Sequence, residues 1–454
     1  MTIHPHIFRS YDIRGIVDED LTPESVETIG KAFGSLLRER GKTSAFVGRD
    51  ARLSSPSFRD ALIAGLLSTG LKVVDLGMVP TPVFYYAVYT QKAGGGVMIT
   101  GSHNPSNYNG FKLMVGEETL FGEQIQEVYK IIQKGRFHRQ EGGAQAARNT
   151  VPSYREYMKR DIRFTGKPKI VIDAGNGVGG VVAAPLFRSL GAEVVELFTE
   201  PDGRFPNHHP DPTVPENMEA LAKAVLENRA DFGIGYDGDA DRIGVVDDKG
   251  RLLFGDQILY ILIQQVLADV PGGEIIADVK ASNVLFSEVA RLKGKPLMWM
   301  TGHSLIKNKM KEDGAILAGE MSGHIFFKHR YFGFDDAIYS SLRFTETVTA
   351  QGRPVSAWLD SMPKVFNTPE IRRESTEEKK FAIVDALRKR WEGLYPISSV
   401  DGVRVTFPDG WGLVRASNTQ PVLVLRFEAS SPESLERIQG EMNRELASIE
   451  ADLK

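Results

Sequence analysis

The sequence predicts an α/β fold: three related mixed α/β domains and a C-terminal α+β domain around a central cleft. Three observations predict it. A strand–helix–strand unit recurs three times along the chain. Each copy is followed by a further apolar strand that runs into a polar, glycine-containing loop. The last stretch changes character, to two strands and one long amphipathic helix. The expected domains span 1–148, 149–252, 253–364 and 365–454.

In the first copy, strand Ala45–Gly48 leads to a helix over Pro56–Ser68, then Gly70 and strand Lys72–Leu76. The second copy has strand Lys169–Ile172, helix Val181–Leu190, Gly191 and strand Glu193–Leu197. The third has strand Glu274–Ala277, helix Asn283–Leu292, Gly294 and a strand near Leu297–Met300. A glycine just past each helix reads as a C-cap, and the helical crossovers imply parallel strands. The strands that follow are Gly95–Ile99 into Thr100–Pro105, Asp231–Gly235 into Asp237–Arg242, and Ala315–Ala318 into Gly319–His324. In open α/β sheets ligands bind beyond the carboxyl ends of the strands, so three such loops point to one shared cleft. Near the C-terminus, strands Val403–Phe407 and Val422–Glu428 flank a turn-rich loop, and an amphipathic helix spans Pro432–Glu450. Linkers are expected at Gly135–Arg148, near Gly250 and at Pro363–Pro369, the last a plausible hinge.

Composition narrows the function. With 42% hydrophobic and 25% charged residues, the 454-residue chain reads as a soluble globular protein. A net charge of -4 leaves no basic footprint for nucleic acid, so local arginine and lysine clusters must hold any acidic substrate. The absence of cysteine excludes disulfides, thiolate metal sites and a cysteine nucleophile, and it fits a cytoplasmic protein. No apolar run approaches the ~20 residues that span a bilayer. Met1–His4 lacks the pattern of a signal peptide.

Thr100-Gly101-Ser102-His103-Asn104-Pro105 follows a buried strand, and Asn-Pro forbids a helix directly after it. Ser102 is thus held on a rigid turn, ready to be a nucleophile or a phosphate carrier; a plain turn would use the same residue types. Asp237, Asp239 and Asp241 alternate with small residues, and such carboxylates repel unless a cation lies between them. An EF-hand loop would need Gly and Glu where Arg242 and Asp248 stand, so Mg²⁺ with a position open to a phosphate oxygen fits better. Gly319–His324 offers Glu320, Ser322 and His324 to sugar hydroxyls. Arg415-Ala416-Ser417-Asn418-Thr419-Gln420-Pro421 combines a guanidinium with hydroxyl and amide donors, which suits a phosphate. Arg9–Gly15 crowds Tyr11 and Arg14, Lys112 lies ten residues beyond Ser102, and Thr301-Gly302-His303-Ser304 precedes a basic helix. Gly175–Gly180 satisfies the dinucleotide-binding spacing G-x-G-x-x-G. The other two copies lack those glycines, so they read as a tight turn and close packing.

These motifs, in this order, resemble the α-D-phosphohexomutase family over essentially the whole chain. TGSHNP looks like its phosphoserine loop, DGDADR its metal loop, GEMSGH its sugar-recognition loop and RASNTQP its phosphate-binding loop. GEMSGH and the opening FRSYDIRG resemble the phosphomannomutase/phosphoglucomutase branch; the phosphoglucosamine mutase branch usually has Gln where Met321 stands. Gly101 replaces an alanine common in relatives and is expected to loosen the loop slightly.

The resemblance implies a heart-shaped molecule. Its reaction would interconvert hexose 1-phosphate and hexose 6-phosphate, of mannose and of glucose, through a phosphoserine and a hexose 1,6-bisphosphate. It implies one Mg²⁺ per chain held by Asp237, Asp239, Asp241 and phosphorylated Ser102, with the bisphosphate as activator. A phosphoserine of about -2 with three Asp makes about -5 against +2 from the metal, which Arg242, Lys112 and Arg14 would offset. Lys112, His103 and His303 are the candidates for acid and base. Tyr11, Lys280, Gly302, His303 and His324 would line the cleft. Glu320 and Ser322 would meet the O3 and O4 hydroxyls, and Arg415, Ser417, Asn418 and Thr419 would take the substrate phosphate. The expected partners are small sugar phosphates, with no nucleic acid and no membrane, in a monomer or weak homodimer. The rival readings are a phosphoglucosamine mutase, a serine-dependent metal phosphatase, a dinucleotide-dependent oxidoreductase and a sugar-phosphate-binding protein without turnover.

Overall fold

A computed structural model of the chain describes residues 3–417 and 421–453. Three of its sheets share one plan. In the first, strand Ser44–Arg49 lies between parallel strands Lys72–Met78 and Gly95–Ile99, and Tyr108–Val115 returns antiparallel beside Gly95–Ile99. In the second, Lys169–Asp173 lies between Glu193–Leu197 and Phe232–Tyr236, with Ile243–Asp247 antiparallel to the latter. In the third, Glu274–Asp278 lies between Lys295–Trp299 and Leu317–Gly319, with Ile325–Phe327 antiparallel. The α/β repeat expected from the sequence is therefore present. Each of the three polar loops joins a parallel strand to its antiparallel neighbour, so all three sit at carboxyl ends.

Burial explains why these segments form strands. Gly95–Ile99, Phe232–Tyr236 and Ile243–Asp247 are buried at every position, as the centre of a sheet covered on both faces requires. Helices Ser55–Leu67 and Thr81–Thr90 lie against the first of these strands, Glu219–Asn228 against the second and third, and Ala337–Gln351 also against the third. Two of the expected glycine caps are left-handed, Gly70 at φ 77° and Gly191 at φ 97°. In the third copy Lys293 takes that conformation, at φ 61°. Gly294 is small there because a Cβ would press on Leu267, 2.8 Å away.

Some linker and loop expectations need correction. Within Gly135–Arg148, Ala144–Ala147 adds a parallel edge strand to Lys72–Met78; all four of its residues are exposed, so no apolar alternation marked it. Gly250 turns a hairpin between Ile243–Asp247 and Leu252–Leu253, which leads directly into helix Gly255–Asp269 of the third unit. In the last unit the turn-rich loop is itself a strand, Gly410–Ala416, central between Val403–Phe407 and Val422–Ala429. Its glycines resemble turn signals, yet Gly412 is there because a Cβ would strike the Met442 sulfur of helix Pro432–Asp452. Arg415 thus sits near the end of a strand. Within Pro363–Pro369, Phe366–Asn367 pairs with Val422–Ala429.

One apolar cluster runs from Phe46 through Ile234 to Trp358, so the first three units share a core. The fourth unit keeps its own, around Trp391, Val405, Phe427 and Met442.

Candidate active site

The strand Gly95–Ile99 ends in a turn that Thr100 and Gly101 fix. The Thr100 hydroxyl accepts the Ser102 N–H at 2.8 Å, and the Gly101 carbonyl accepts the Asn104 N–H at 2.9 Å. Ser102 adopts a left-handed backbone, φ 48°, which non-glycine residues reach only when the surroundings impose it. Its hydroxyl is buried between units, donating to Asp237 Oδ2 at 2.7 Å with His103 Nδ1 at 3.1 Å. From the N-terminal strand Arg14 braces the turn, donating to Asn104 Oδ1 at 2.6 Å and the Gly101 carbonyl at 3.3 Å.

Asp237, Asp239 and Asp241 lie on the loop after Phe232–Tyr236, all fully buried. Asp237 Oδ1 accepts the N–H groups of Asp241 and Arg242, both at 3.1 Å, which folds the loop back on itself. The glycines Gly175–Gly180 serve this loop. A Cβ at Gly177 would come within 2.7 Å of the Gly238 carbonyl, and one at Gly179 within 3.0 Å of Ala240. Close packing is thus what the G-x-G-x-x-G spacing provides. Lys112, carried across by the returning strand Tyr108–Val115, binds Asp239 Oδ2 at 2.9 Å and also Asp241 Oδ2. Thr81 donates to Asp239 Oδ2 at 2.5 Å.

The third loop docks on the second through an antiparallel bridge between Arg242 and His324. His324 Nδ1 lies 2.9 Å from Glu320 Oε2 and 3.2 Å from Ser322 Oγ, and its Nε2 lies 3.3 Å from Asp241 Oδ1. The Gly302 N–H donates to Glu320 Oε1 at 2.7 Å. Gly302, at φ 136°, is required because a Cβ there would press on the Tyr11 ring at 2.7 Å. Tyr11 in turn donates to the Thr301 carbonyl at 2.9 Å. His303 is buried, 5.6 Å ring to ring from His324.

The fourth unit meets this cluster through Asp401, which accepts Arg415 Nε at 2.9 Å and the Thr301 N–H at 3.0 Å. Ser417 is buried just beyond Arg415. Asn418 and Thr419 lie outside the described residues. Lys280, 3.7 Å from Asp278, also reaches Glu370 of the fourth unit at 3.2 Å.

Charge is unevenly balanced here. Burial, then Asp241 and Asp239, push the Asp237 carboxyl well above the usual carboxylate range. Burial works the same way on Asp241, but Lys112, His324 and Arg242 together hold it well below. Burial opposes the Lys112 ammonium, and Asp239 and Asp241 overcome it, holding its pKa well above the ordinary value. Against its burial, His324 is pushed up to about 9, chiefly by Asp241. Burial with Arg242 and Arg14 keeps His103 neutral, and burial with Lys307 and Lys112 does the same for His303.

The three aspartates bring ligand oxygens within 4.8 Å of one another. Buried Asp239 Oδ1 has no hydrogen-bond partner among the described residues, and Asp241 Oδ1 faces the His324 imidazole at 3.3 Å. An all-oxygen set with an unsatisfied buried carboxylate atom fits a hard divalent cation such as Mg²⁺.

Reading the sequence missed several contributors. Asp50 and Arg52 hold the Ser102 turn; Asp335 pairs with Lys307 at 2.8 Å, and its other oxygen lies 3.5 Å from His303 Nδ1. Asp278 accepts the Met321 N–H at 3.2 Å. Aligning the three copies would have exposed Asp50, Asp173 and Asp278, which each close the first strand's turn. Gly101 also reads differently in three dimensions, because a Cβ there would run into the Arg52 guanidinium.

Four family models match the chain in order. Domains I, II and III of phosphoglucomutase/phosphomannomutase, described as alpha/beta/alpha, match residues 5–139, 152–250 and 254–366, and the C-terminal domain matches 370–445. A phosphomannomutase/phosphoglucomutase of Pseudomonas aeruginosa is 48% identical over 454 residues, covering 100% of this chain and 98% of the relative. A phosphoglucomutase of Neisseria gonorrhoeae is 44% identical, covering 98% and 97%. The crystal structure of a phosphoglucomutase/phosphomannomutase family protein from Burkholderia thailandensis superposes with a TM-score of 0.94 at 42% identity, covering 99% and 98%.

Proposed function

The chain belongs to the phosphoglucomutase/phosphomannomutase family, and from that premise we propose how its residues divide the work of interconverting hexose 1-phosphates and hexose 6-phosphates. One observation carries the assignment. The Ser102 hydroxyl is buried at the meeting point of two units, 2.7 Å from Asp237 and 3.1 Å from His103.

Ser102 is the phosphoryl carrier. In the first half-reaction the bond from Ser102 Oγ to phosphorus breaks as the substrate 6-hydroxyl forms its own bond to phosphorus, giving a hexose 1,6-bisphosphate. Neutral His303 is the candidate for taking the proton of the substrate hydroxyl, and the Lys112 ammonium is the candidate for returning one to Ser102 Oγ. The bisphosphate then turns end for end. Its 1-phosphoryl group then passes to Ser102: the bond from Ser102 Oγ to phosphorus forms as the bond from O1 to phosphorus breaks. Neutral His103, 3.1 Å away, accepts the Ser102 proton, and O1 takes up the proton removed from the 6-hydroxyl in the first half-reaction. A Mg²⁺ held by Asp237, Asp239, Asp241 and a phosphoserine oxygen would supply positive charge to the transferring group. Arg242, Lys112 and Arg14 supply the remainder.

Glu320, Ser322 and His324 read the sugar hydroxyls, with Tyr11, Lys280, Gly302 and His303 along the wall. Arg415 and Ser417, with Asn418 and Thr419, take the phosphate that is not reacting. The fourth unit swings to close over the sugar, which its separate core supports. A hexose 1,6-bisphosphate activator, a cytoplasmic setting and a monomer or weak homodimer complete the reading.

A paired assay tests it. Mannose 1-phosphate and glucose 1-phosphate are supplied separately with Mg²⁺ and trace glucose 1,6-bisphosphate. Formation of both 6-phosphates is expected, and the ratio of kcat/KM gives the preference. No product from either sugar, with turnover of glucosamine 1-phosphate, would replace the substrate; release of free phosphate would mark a hydrolase. Arg415→Ala is expected to raise KM about tenfold or more, since it removes a charge-assisted phosphate contact. An unchanged KM would mean that the phosphate docks elsewhere.

A further inference from the structure

The turns after the first strand of each unit are built alike. Asp50 Oδ1 accepts the Arg52 N–H at 3.0 Å, Asp173 Oδ1 the Gly175 N–H at 2.8 Å, and Asp278 Oδ1 the Lys280 N–H at 3.1 Å. In two units the other carboxylate oxygen reaches the functional loop. Asp50 Oδ2 accepts the Gly101 N–H at 3.1 Å, and Asp278 Oδ2 the Met321 N–H at 3.2 Å. Gly101 and Met321 immediately precede Ser102 and Ser322. In the second unit Asp173 faces His208 instead, at 3.0 Å. The position two beyond the aspartate is therefore Arg52, Gly175 and Lys280 in turn.

Arg52 is wholly buried. Its guanidinium donates to the carbonyls of Ser102 at 2.9 Å, Asn104 at 2.6 Å, Pro105 at 2.5 Å and Tyr108 at 2.9 Å. Nε lies 3.2 Å from Asp50 Oδ2, and the Phe205 ring of the second unit covers the group at 5.1 Å. The opposite side of the Ser102 carbonyl is walled by Gly238, where a Cβ would stand 2.5 Å from that oxygen. The left-handed Ser102 is thus clamped between a planar cation and the metal-loop backbone.

We propose that Arg52 is a positioning residue for phosphoryl transfer. It sets the angle at which Ser102 Oγ faces Asp237 and the acceptor hydroxyl, without touching the substrate. A rigid five-donor fork can hold four carbonyls in different directions, which a lysine ammonium cannot. The inference rests on Ser102 being the carrier. Loss of the clamp lets the phosphoserine swing, slows transfer in both half-reactions and exposes it to water. Substrate affinity, set by the fourth unit and the sugar loop, stays as it was.

The test uses full-length Arg52→Met and Arg52→Lys, each first incubated with glucose 1,6-bisphosphate. Phosphate per chain, phosphoserine lifetime in buffer, kcat, KM and Tm are measured. For Arg52→Met the expectation is a kcat lower by about 10²-fold, as small misplacements of reacting groups produce, with KM within about twofold and a shorter phosphoserine lifetime. Arg52→Lys is expected to recover little of the loss. If Arg52→Met does not fold, Arg52→Lys decides, because it keeps a buried cation beside Asp50 and loses only the planar fork. It is expected to lower kcat and phosphoserine lifetime at constant KM. A folded Arg52→Met with wild-type kcat and phosphoserine lifetime overturns the proposal; where that variant is unfolded, a wild-type Arg52→Lys does so. A wild-type chain that takes no phosphate on Ser102 would overturn the carrier reading, and the role of Arg52 with it.

Discussion

Ser102→Ala is expected to lower mutase turnover by about 10⁴-fold or more, the scale on which removal of a covalent nucleophile acts. The substitution removes one oxygen and leaves the loop intact. Everything that fixes the turn is backbone or neighbouring side chain: the Thr100 hydroxyl on the Ser102 N–H, Asp50 on the Gly101 N–H, and Arg52 on four carbonyls. Alanine tolerates the left-handed backbone about as well as serine does. The lost contacts are those to His103 Nδ1 and to Asp237, whose carboxyl is already pushed toward its neutral form by burial and by Asp241 and Asp239. Stability should therefore change by about 1 kcal/mol. Radiolabelled glucose 1,6-bisphosphate should place no phosphate on the variant, while circular dichroism stays unchanged. If Ser102→Ala keeps the wild-type rate with a bisphosphate primer, the carrier is another group and the buried hydroxyl is structural.

The first three sheets were legible in the sequence because their central strands are buried on both faces and read as short apolar runs between turn residues. The same rule explains what was not legible. Ala144–Ala147 is an exposed edge strand with no apolar face, and Gly410–Ala416 carries glycines that packing against Met442 demands. The site divides in the same way. Ser102, the three aspartates and Glu320 stand in contiguous loops and could be read locally. Arg52, Asp335 and Asp401 act across long sequence distances, from turns that look ordinary one at a time. Arg52 meets Ser102 only because the first and third strands of its unit are neighbours, and Asp401 meets Thr301 only where the fourth unit docks. Lys112 lies between these cases. Its distance from Ser102 was readable, but its place on Asp239 and Asp241 depends on the antiparallel return of Tyr108–Val115.

Asp239→Asn is expected to abolish Mg²⁺-dependent activity while leaving the metal-free fold as stable as before. Asp239 Oδ2 is occupied, accepting from Thr81 at 2.5 Å and from Lys112 at 2.9 Å, whereas Oδ1 is buried and unpartnered. An asparagine can keep the first role with its amide oxygen. Its NH₂ group then points where Oδ1 was, presenting donor hydrogens to any cation and replacing a ligand with a repulsive contact. The charge change acts in the opposite sense on the fold. Three buried carboxylates repel one another, which is part of why Asp237 is held well above the usual range, so removing one charge relieves the cluster. The wild type should gain stability with Mg²⁺ as RT ln(1 + [Mg²⁺]/Kd), about 2.7 kcal/mol at a hundredfold excess over Kd. The variant should gain almost none over the same range, with an unchanged or higher Tm in chelator. Thermal unfolding with and without Mg²⁺ reads both quantities without reference to turnover. A Mg²⁺-dependent rise in Tm equal to that of the wild type would take Asp239 out of the metal site. A Tm lowered in chelator would mean that its charge serves Lys112 and Thr81 more than it repels its neighbours.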